Sequence, residues 1–359
     1  QKGYALVVIT KVWEILRAFA SFGFCKAHAA AFALPTYQSA WLKTHYPAEF
    51  MAGLFTHDPG MYPRRLLLAE ARRLGVRLLP LDVNYSTDEY RVEPAEPKTT
   101  DPNEPKIGIR MALSEVASVS EAEIARIIRE QPYRDLSDFY LRAQPSRRTL
   151  ENLALVGALD SLAGISPETT RGDVLMRVRQ LNSIRVRPRL DPNQPTLDFN
   201  VLEQLPSGNP ELSIEEKVRH ELKILKLDVS EHVLELYRPL LDELGVVKAS
   251  ELLDLRNKTE VLVAGVRVAT QTPPMRSGKR VVFITLDDGS GCSDATFFDE
   301  AQQRAGSMLF NTRLMVIAGK TRRTGAKGVS LMAENAWDLR EMWEQWTKAR
   351  PQFRERAAG

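Results

Sequence analysis

Sulfur and imidazole are scarce in this sequence, with two cysteines and five histidines in 359 residues. Cys25 and Cys292 lie too far apart in the chain to suggest a disulfide framework, and two thiols alone make no structural zinc site. A reducing cytoplasm is the compartment that fits. No apolar run reaches the roughly 18 residues a spanning helix needs, and no signal-peptide pattern opens the chain, so no membrane partner is expected. An excess of charge is missing too: 49 Lys+Arg against 46 Asp+Glu leaves a net +3. No global field announces nucleic acid, and any basic site has to be local. The apolar fraction, 43%, is ample for two or three domains with real cores. The chain begins Gln1-Lys2-Gly3, without methionine, and runs at once into an amphipathic stretch, 12–19, as the interior of a longer protein would.

Texture divides the chain into seven parts. Residues 1–75 form the first part and read as helical over 11–75, from apolar spacing at Val12, Ile15, Leu16 and Phe19 and again at Tyr37, Trp41 and Leu42. Residues 76–106 are an extended connector, with four prolines in 92–106. A compact helical unit covers 107–165, and 166–212 is a proline-rich linker with a short helix around 171–183. Helix returns over 213–257, with a break expected at 227–230. Residues 258–339 then alternate as strands, and a charged helix and tail, 340–359, close the chain. The fold class is multidomain α+β, with helical modules ahead of a five-stranded barrel.

Five strands with room for a helix after the third follow the order of an OB-fold. Arg276, Lys279 and Arg280 fall in or beside the turn between its first two strands, and Lys320, Arg322, Arg323 and Lys327 in the turn between its last two. These turns flank the binding face of such a barrel, so the basic residues suit the phosphates of a single strand while aromatics stack on its bases. Solvated turn residues would look the same. Phe283, Phe297 and Phe298 are the stacking candidates, and alternation sends at least one of the adjacent pair into the core. Asp287-Asp288-Gly289 reads as a hairpin turn, not as a paired-carboxylate metal site.

Within the helical unit, 108–131 (GIRMALSEVASVSEAEIARIIREQ) reads as helix, hairpin, helix. Such a hairpin aims backbone N–H groups at DNA phosphates. Glycines are absent from it, leaving Ser118 and Ser120 as donors. Residues 147–162 read as a second unit, with Arg147 and Arg148 at its start and Gly157 at its turn. A plain helical spacer is the competing interpretation. In the linker, Gln194, Leu197 and Phe199 form a peptide suited to an apolar pocket with one polar contact.

Residues 21–50 (SFGFCKAHAAAFALPTYQSAWLKTHYPAEF) bring Cys25, Lys26 and His28 together. A metal site needs three or four ligands, and a thiol nucleophile needs an orienting group and an oxyanion hole. Neither set can be found, so no metal ligand and no catalytic residue is assigned in this chain. An alanine-rich helix packing through Phe32 and Trp41 accounts for part of the pattern.

The stretch from Phe19 to Tyr62 closely resembles the end of the fingers region of bacterial C-family DNA polymerases, of the polymerase III alpha-subunit type. Replicative members tend to carry Tyr-Gly-Phe-Asn-Lys-Ser-His where this chain has Phe22-Gly23-Phe24-Cys25-Lys26-Ala27-His28. Cys25, THDPGMYPRRL (56–66) and VLVAGVRVATQTPP (261–274) resemble the error-prone branch, active in damage-induced translesion synthesis. The resemblance implies that Lys26 and His28 face an incoming deoxynucleoside triphosphate, with His28 by the sugar. It implies tandem helix-hairpin-helix units on primer–template duplex, and an OB domain near single-stranded template. It also implies a sliding-clamp peptide at Gln194, Leu197 and Phe199, acting directly or through an accessory protein, with Pro195 departing from the leucine common there. The Mg²⁺ ions of nucleotidyl transfer would be held by palm carboxylates upstream, so this chain alone is expected to be inactive. A replicative polymerase fragment and a stand-alone DNA-binding or scaffold protein are the alternatives.

Overall fold

The computed structural model describes residues 3, 5–20, 26–58, 60, 62–95, 106–165, 169–183, 207–273, 280–325 and 328–350. Four helices open the chain: α1 (Leu6–Ala20), α2 (Lys26–His45), α3 (Pro47–His57) and α4 (Arg64–Arg73). Pro35 is accommodated inside α2. In α3, Ala48, Met51, Ala52 and Phe55 recur at helical spacing and are all buried. The apolar residues of α1 and α2 behave oppositely: Trp13, Leu16, Phe32, Leu34 and Trp41 stand exposed, and α2 buries none of its residues. Packing of this chain through Phe32 and Trp41 is therefore corrected. An apolar stripe identifies a helix without identifying what covers it.

A three-stranded sheet follows, with β1 (Arg77–Leu79) and β2 (Arg91–Pro94) on either side of β3 (Ile107–Arg110). The pairing is parallel to β1 and antiparallel to β2. This overturns the helix expected to begin at Gly108. Ile109 is buried between both neighbours, and a Cβ on Gly108 would lie 2.6 Å from Leu79 Cγ. Between β3 and the hairpin stands a short 3₁₀ turn, Leu113–Glu115. Next come α5 (Glu121–Arg129), α6 (Leu136–Ala143), α7 (Arg147–Leu155), α8 (Asp160–Ala163) and α9 (Arg171–Ser183). One continuous core joins Met51, Phe55 and Leu68 of the opening helices to Ile109, Leu113, Phe139, Leu150 and Val178.

The connector is α10 (Ile214–Ile224), a 3₁₀ turn Val233–Tyr237, and α11 (Arg238–Glu243), with the expected break between the first two. The barrel is β4 (Glu260–Gln271), β5 (Val282–Asp287), β6 (Cys292–Phe297), β7 (Leu314–Arg323) and β8 (Val329–Asp338). Its closed order, β4-β5-β6-β8-β7, is that of a five-stranded OB-fold. The first half of β4 pairs with β7 and the second with β5, across a register shift between Arg267 and Ala269. Two helices, α12 (Asp299–Ala305) and α13 (Met308–Asn311), fill the link after β6. Val263, Ile284, Phe297, Ile317 and Leu331 point into the barrel. Ala264, Val266, Leu314 and Val316 point outward, against the connector and the final helix α14 (Leu339–Ala349). The Asp288–Gly291 turn holds the expected hairpin: Asp288 N–H donates to Gly291 O at 3.2 Å, and the Asp288 carboxylate accepts from Ser290 and Gly291 N–H.

The barrel is fastened to the helical part by buried charge. Arg65 Nη2 of α4 lies 3.0 Å from Asp228 Oδ1, and the two residues are 8% and 1% exposed. His232 Nε2 stands 3.0 Å from Arg65 Nη1 and 3.5 Å from Asp287 Oδ2 of β5. Burial acts to raise the Asp287 carboxyl, but the His232 hydrogen bond and charge and the Gly289 N–H more than offset it, so its pKa lies below the ordinary value.

Candidate nucleic-acid interface

The barrel register places one row of side chains across the outer surface. Phe283 pairs with Thr296, Thr296 with Met332, Met332 with Lys320, and Lys320 with Glu260. Alternation along β5 turns Phe283 out, 38% exposed, while Phe297 is fully buried in the barrel. Phe298 is exposed where it precedes α12, and Met332 is exposed on β8. Phe283 and Phe298 thus remain available for stacking, and Phe297 belongs to the core.

Arg276, Lys279 and Lys327 lie outside the described residues. Lys320, Arg322 and Arg323 occupy the end of β7 rather than the turn beyond it. Two of these cations have partners within the chain. Lys320 Nζ stands 3.2 Å from Glu260 and 3.3 Å from Glu334, and hydrogen bonds to the two carboxylates raise its pKa. Arg323 donates through its guanidinium to the carbonyls of Leu253 and Leu255, and through its N–H to Asn257 Oδ1 at 3.0 Å. It closes the end of the 3₁₀ turn Ala249–Asp254. Arg280 and Arg322 are exposed and form no ion pair with a described carboxylate. Arg280, two residues before β5, and Arg322, near the end of β7, are thus the exposed cations of this region, and Asp294 of β6 sets a carboxylate on the same face as Phe283.

The hairpin region offers a second set. Ser118 is exposed and adopts φ 72°, the left-handed conformation that glycine usually fills in such a turn. Ser120 caps α5: its Oγ accepts from Glu123 N–H at 3.3 Å and donates to Glu123 Oε2 at 3.0 Å. Its hydroxyl is thus committed to a capping box. Glu123 also accepts from Ser146 N–H at 2.7 Å, joining the start of α5 to the start of α7. Burial favours the neutral acid, but the N–H groups of Ser146 and Ser120 hold Glu123 down at about 2. Arg147 and Arg148 project, exposed, from the first turn of α7. Gly157 lies at the turn after α7 with φ 80° but faces inward, and a Cβ there would meet Arg171 Nη2 at 2.2 Å. Arg171 is ion-paired with Asp160.

Lys26 and His28 lie in the exposed first turn of α2, with the His28 ring edge-on to Phe32 at 4.6 Å. Cys25 lies outside the described residues, as do Gln194, Leu197 and Phe199. The chain resumes at 207 and is held where it re-enters: Asn209 N–H and Nδ2 donate to Asp173 Oδ1 at 3.0 and 2.9 Å. Sequence patterns gave no hint of the Glu123 bridge or of this anchor. Among the described residues no group of three or more His, Cys, Asp or Glu side chains could hold a metal ion. No described helix is long and apolar enough to cross a membrane.

Two family models match the chain: a helix-hairpin-helix motif over residues 75–169 and an OB-fold nucleic acid binding domain over 261–339. A relative from Symbiobacterium thermophilum is 34% identical over 84% of this chain. One from Pseudomonas syringae pv. syringae is 31% identical over 94%, and both are named error-prone DNA polymerase. The chain spans 30% and 31% of their respective lengths. Among solved structures, RecG bound to a three-way DNA junction matches 34% of this chain at 15% identity and a TM-score of 0.19, too slight a likeness to bear on the fold.

Proposed function

We propose that this chain, homologous over most of its length to bacterial error-prone DNA polymerases, is the nucleic-acid-gripping C-terminal part of such an enzyme. The observation that carries the proposal is the conjunction of an OB barrel, which turns Phe283 and Met332 outward and leaves Arg280 and Arg322 exposed, with a helix-hairpin-helix domain in the same chain. The barrel takes single-stranded template and the hairpin domain takes primer–template duplex. In the intact enzyme the first turn of α2 brings Lys26 and His28 to the incoming deoxynucleoside triphosphate, and the activity is DNA-directed DNA synthesis across damage. Mg²⁺ would be held by carboxylates outside this chain, and the chain alone does not polymerise. The apolar faces of α1 and α2 support this reading, since a larger protein would cover them.

Fluorescence anisotropy with a single-stranded oligonucleotide tests the barrel. Affinity should fall steeply with salt, and Phe283→Ala with Arg280→Ala and Arg322→Ala should weaken binding at least tenfold, since stacking contributes about 1–3 kcal/mol per base. Salt-independent binding, or unchanged affinity in that variant, would remove the strand-binding face. The clamp peptide is tested separately, by surface plasmon resonance on immobilised sliding clamp. Replacing Gln194, Leu197 and Phe199 with alanine should abolish retention, and equal retention would show that the peptide is incidental.

A further inference from the structure

A cavity of about 230 Å³ lies between the barrel's outer face and the helical connector, and every charged residue lining it is a cation: Arg65, Lys226, Arg313 and Arg340. Leu222 and Val266 are among the apolar residues of its floor. The cations come from four separate places, which are α4, the turn after α10, the residue before β7 and the first turn of α14. Arg65 is nine-tenths buried, and Asp228 meets its charge. Among the described residues no carboxylate forms an ion pair with the other three, and Glu215 and Asp338 act on the same Tyr237 hydroxyl as Arg340. Lys226 Nζ donates to the Lys223 carbonyl at 3.0 Å, and Arg340 bonds the Tyr237 hydroxyl. Arg267 adds a further positive charge beside Arg313: its Nη1 donates to Leu309 O at 2.5 Å, and burial together with the Arg313 charge lowers its pKa.

Like charges that share an apolar floor without ion-pair partners repel one another more strongly than they would in open water. A multivalent anion relieves that repulsion, and guanidinium forks match the oxygens of a phosphate. At about 30 Å³ per water in the liquid, the cavity has room for one or two phosphoryl groups and little more. We propose that this cavity is a phosphate-binding site, separate from the strand-binding face. The phosphate belongs either to a nucleic-acid strand or to a free diphosphate.

The test uses the 359-residue chain with inorganic pyrophosphate as probe, followed by isothermal titration and thermal shift against sodium chloride of matched ionic strength. Pyrophosphate should raise the Tm well beyond the chloride control. Arg313→Gln with Arg340→Gln should lower pyrophosphate affinity by about tenfold per guanidinium removed. Should that double variant fail to fold, Lys226→Gln on its exposed turn should give the same loss at one charge. A thymidine oligonucleotide separates the two sources. A parallel loss of oligonucleotide affinity in the cavity variant assigns the phosphate to a strand, and an unchanged oligonucleotide affinity assigns it to a free anion. Arg280→Ala with Arg322→Ala should leave pyrophosphate binding intact, so this site and the strand-binding face fail independently. Pyrophosphate acting no more strongly than chloride, or full binding by the cavity variants, would overturn the proposal.

Discussion

Glu123 shows how one side chain can organise two hairpins. It completes the cap of α5 and accepts from Ser146 N–H, so the entrances of α5 and α7 share one carboxylate. Its pKa of about 2 lies below the ordinary 4.5, so the stabilisation it gives is complete above about pH 4.5 and is lost as pH falls toward 2. Glu123→Gln should flatten that part of the acid-unfolding profile, read as the urea midpoint between pH 5 and 2. A profile of unchanged slope would assign the acid sensitivity to other groups. At this scale the sequence revealed residue types but not their partners. Arg322 and Arg323 are adjacent and chemically alike, yet Arg323 is drawn away by carbonyls about seventy positions earlier, which no local pattern encodes. Ser118 is a subtler case. The glycine signature of the hairpin is missing from the sequence, while the left-handed backbone it serves is still there.

Elements were legible where alternation and turn chemistry agreed. All five barrel strands, the Asp288–Gly291 turn and the break after α10 follow from periodicity and from glycine and aspartate placement. The stretch GIRM departs from expectation because Ile109 and Met111 fit a buried helix as well as a short strand, and the pairing with β1 and β2, both earlier in the chain, decides the matter. Gly108 records that decision. Gly108→Ala would press a methyl into Leu79 Cγ, and overpacking of this kind costs about 1–3 kcal/mol. Chemical denaturation should show that loss, whereas an unaltered midpoint would mean that β1 and β3 are loosely joined. The exposed faces of α1 and α2 mark the opposite limit, since their periodicity is plain and the described residues leave them uncovered.

At the scale of the molecule, the helical part and the barrel meet through Arg65, Asp228, His232 and Asp287, contributed by α4, the connector and β5. Nothing in the sequence set these four apart, because ion pairs across more than a hundred residues leave no periodic trace. Asp228→Asn would leave Arg65 buried beside a neutral partner, a change that costs about 3–5 kcal/mol when one member of a buried pair is lost. Thermal unfolding should then resolve two transitions in place of one, and a single transition at the original temperature would show the barrel to be secured otherwise. Apolar surfaces tolerate sliding, whereas charged hydrogen bonds hold only over a narrow range of angle. The barrel is therefore aimed as well as attached. Under the proposed function, a strand caught by one module reaches the other as an intramolecular event, with much of the rotational freedom already removed by folding. Grip on DNA would then depend on the angle between two modest surfaces more than on the strength of either.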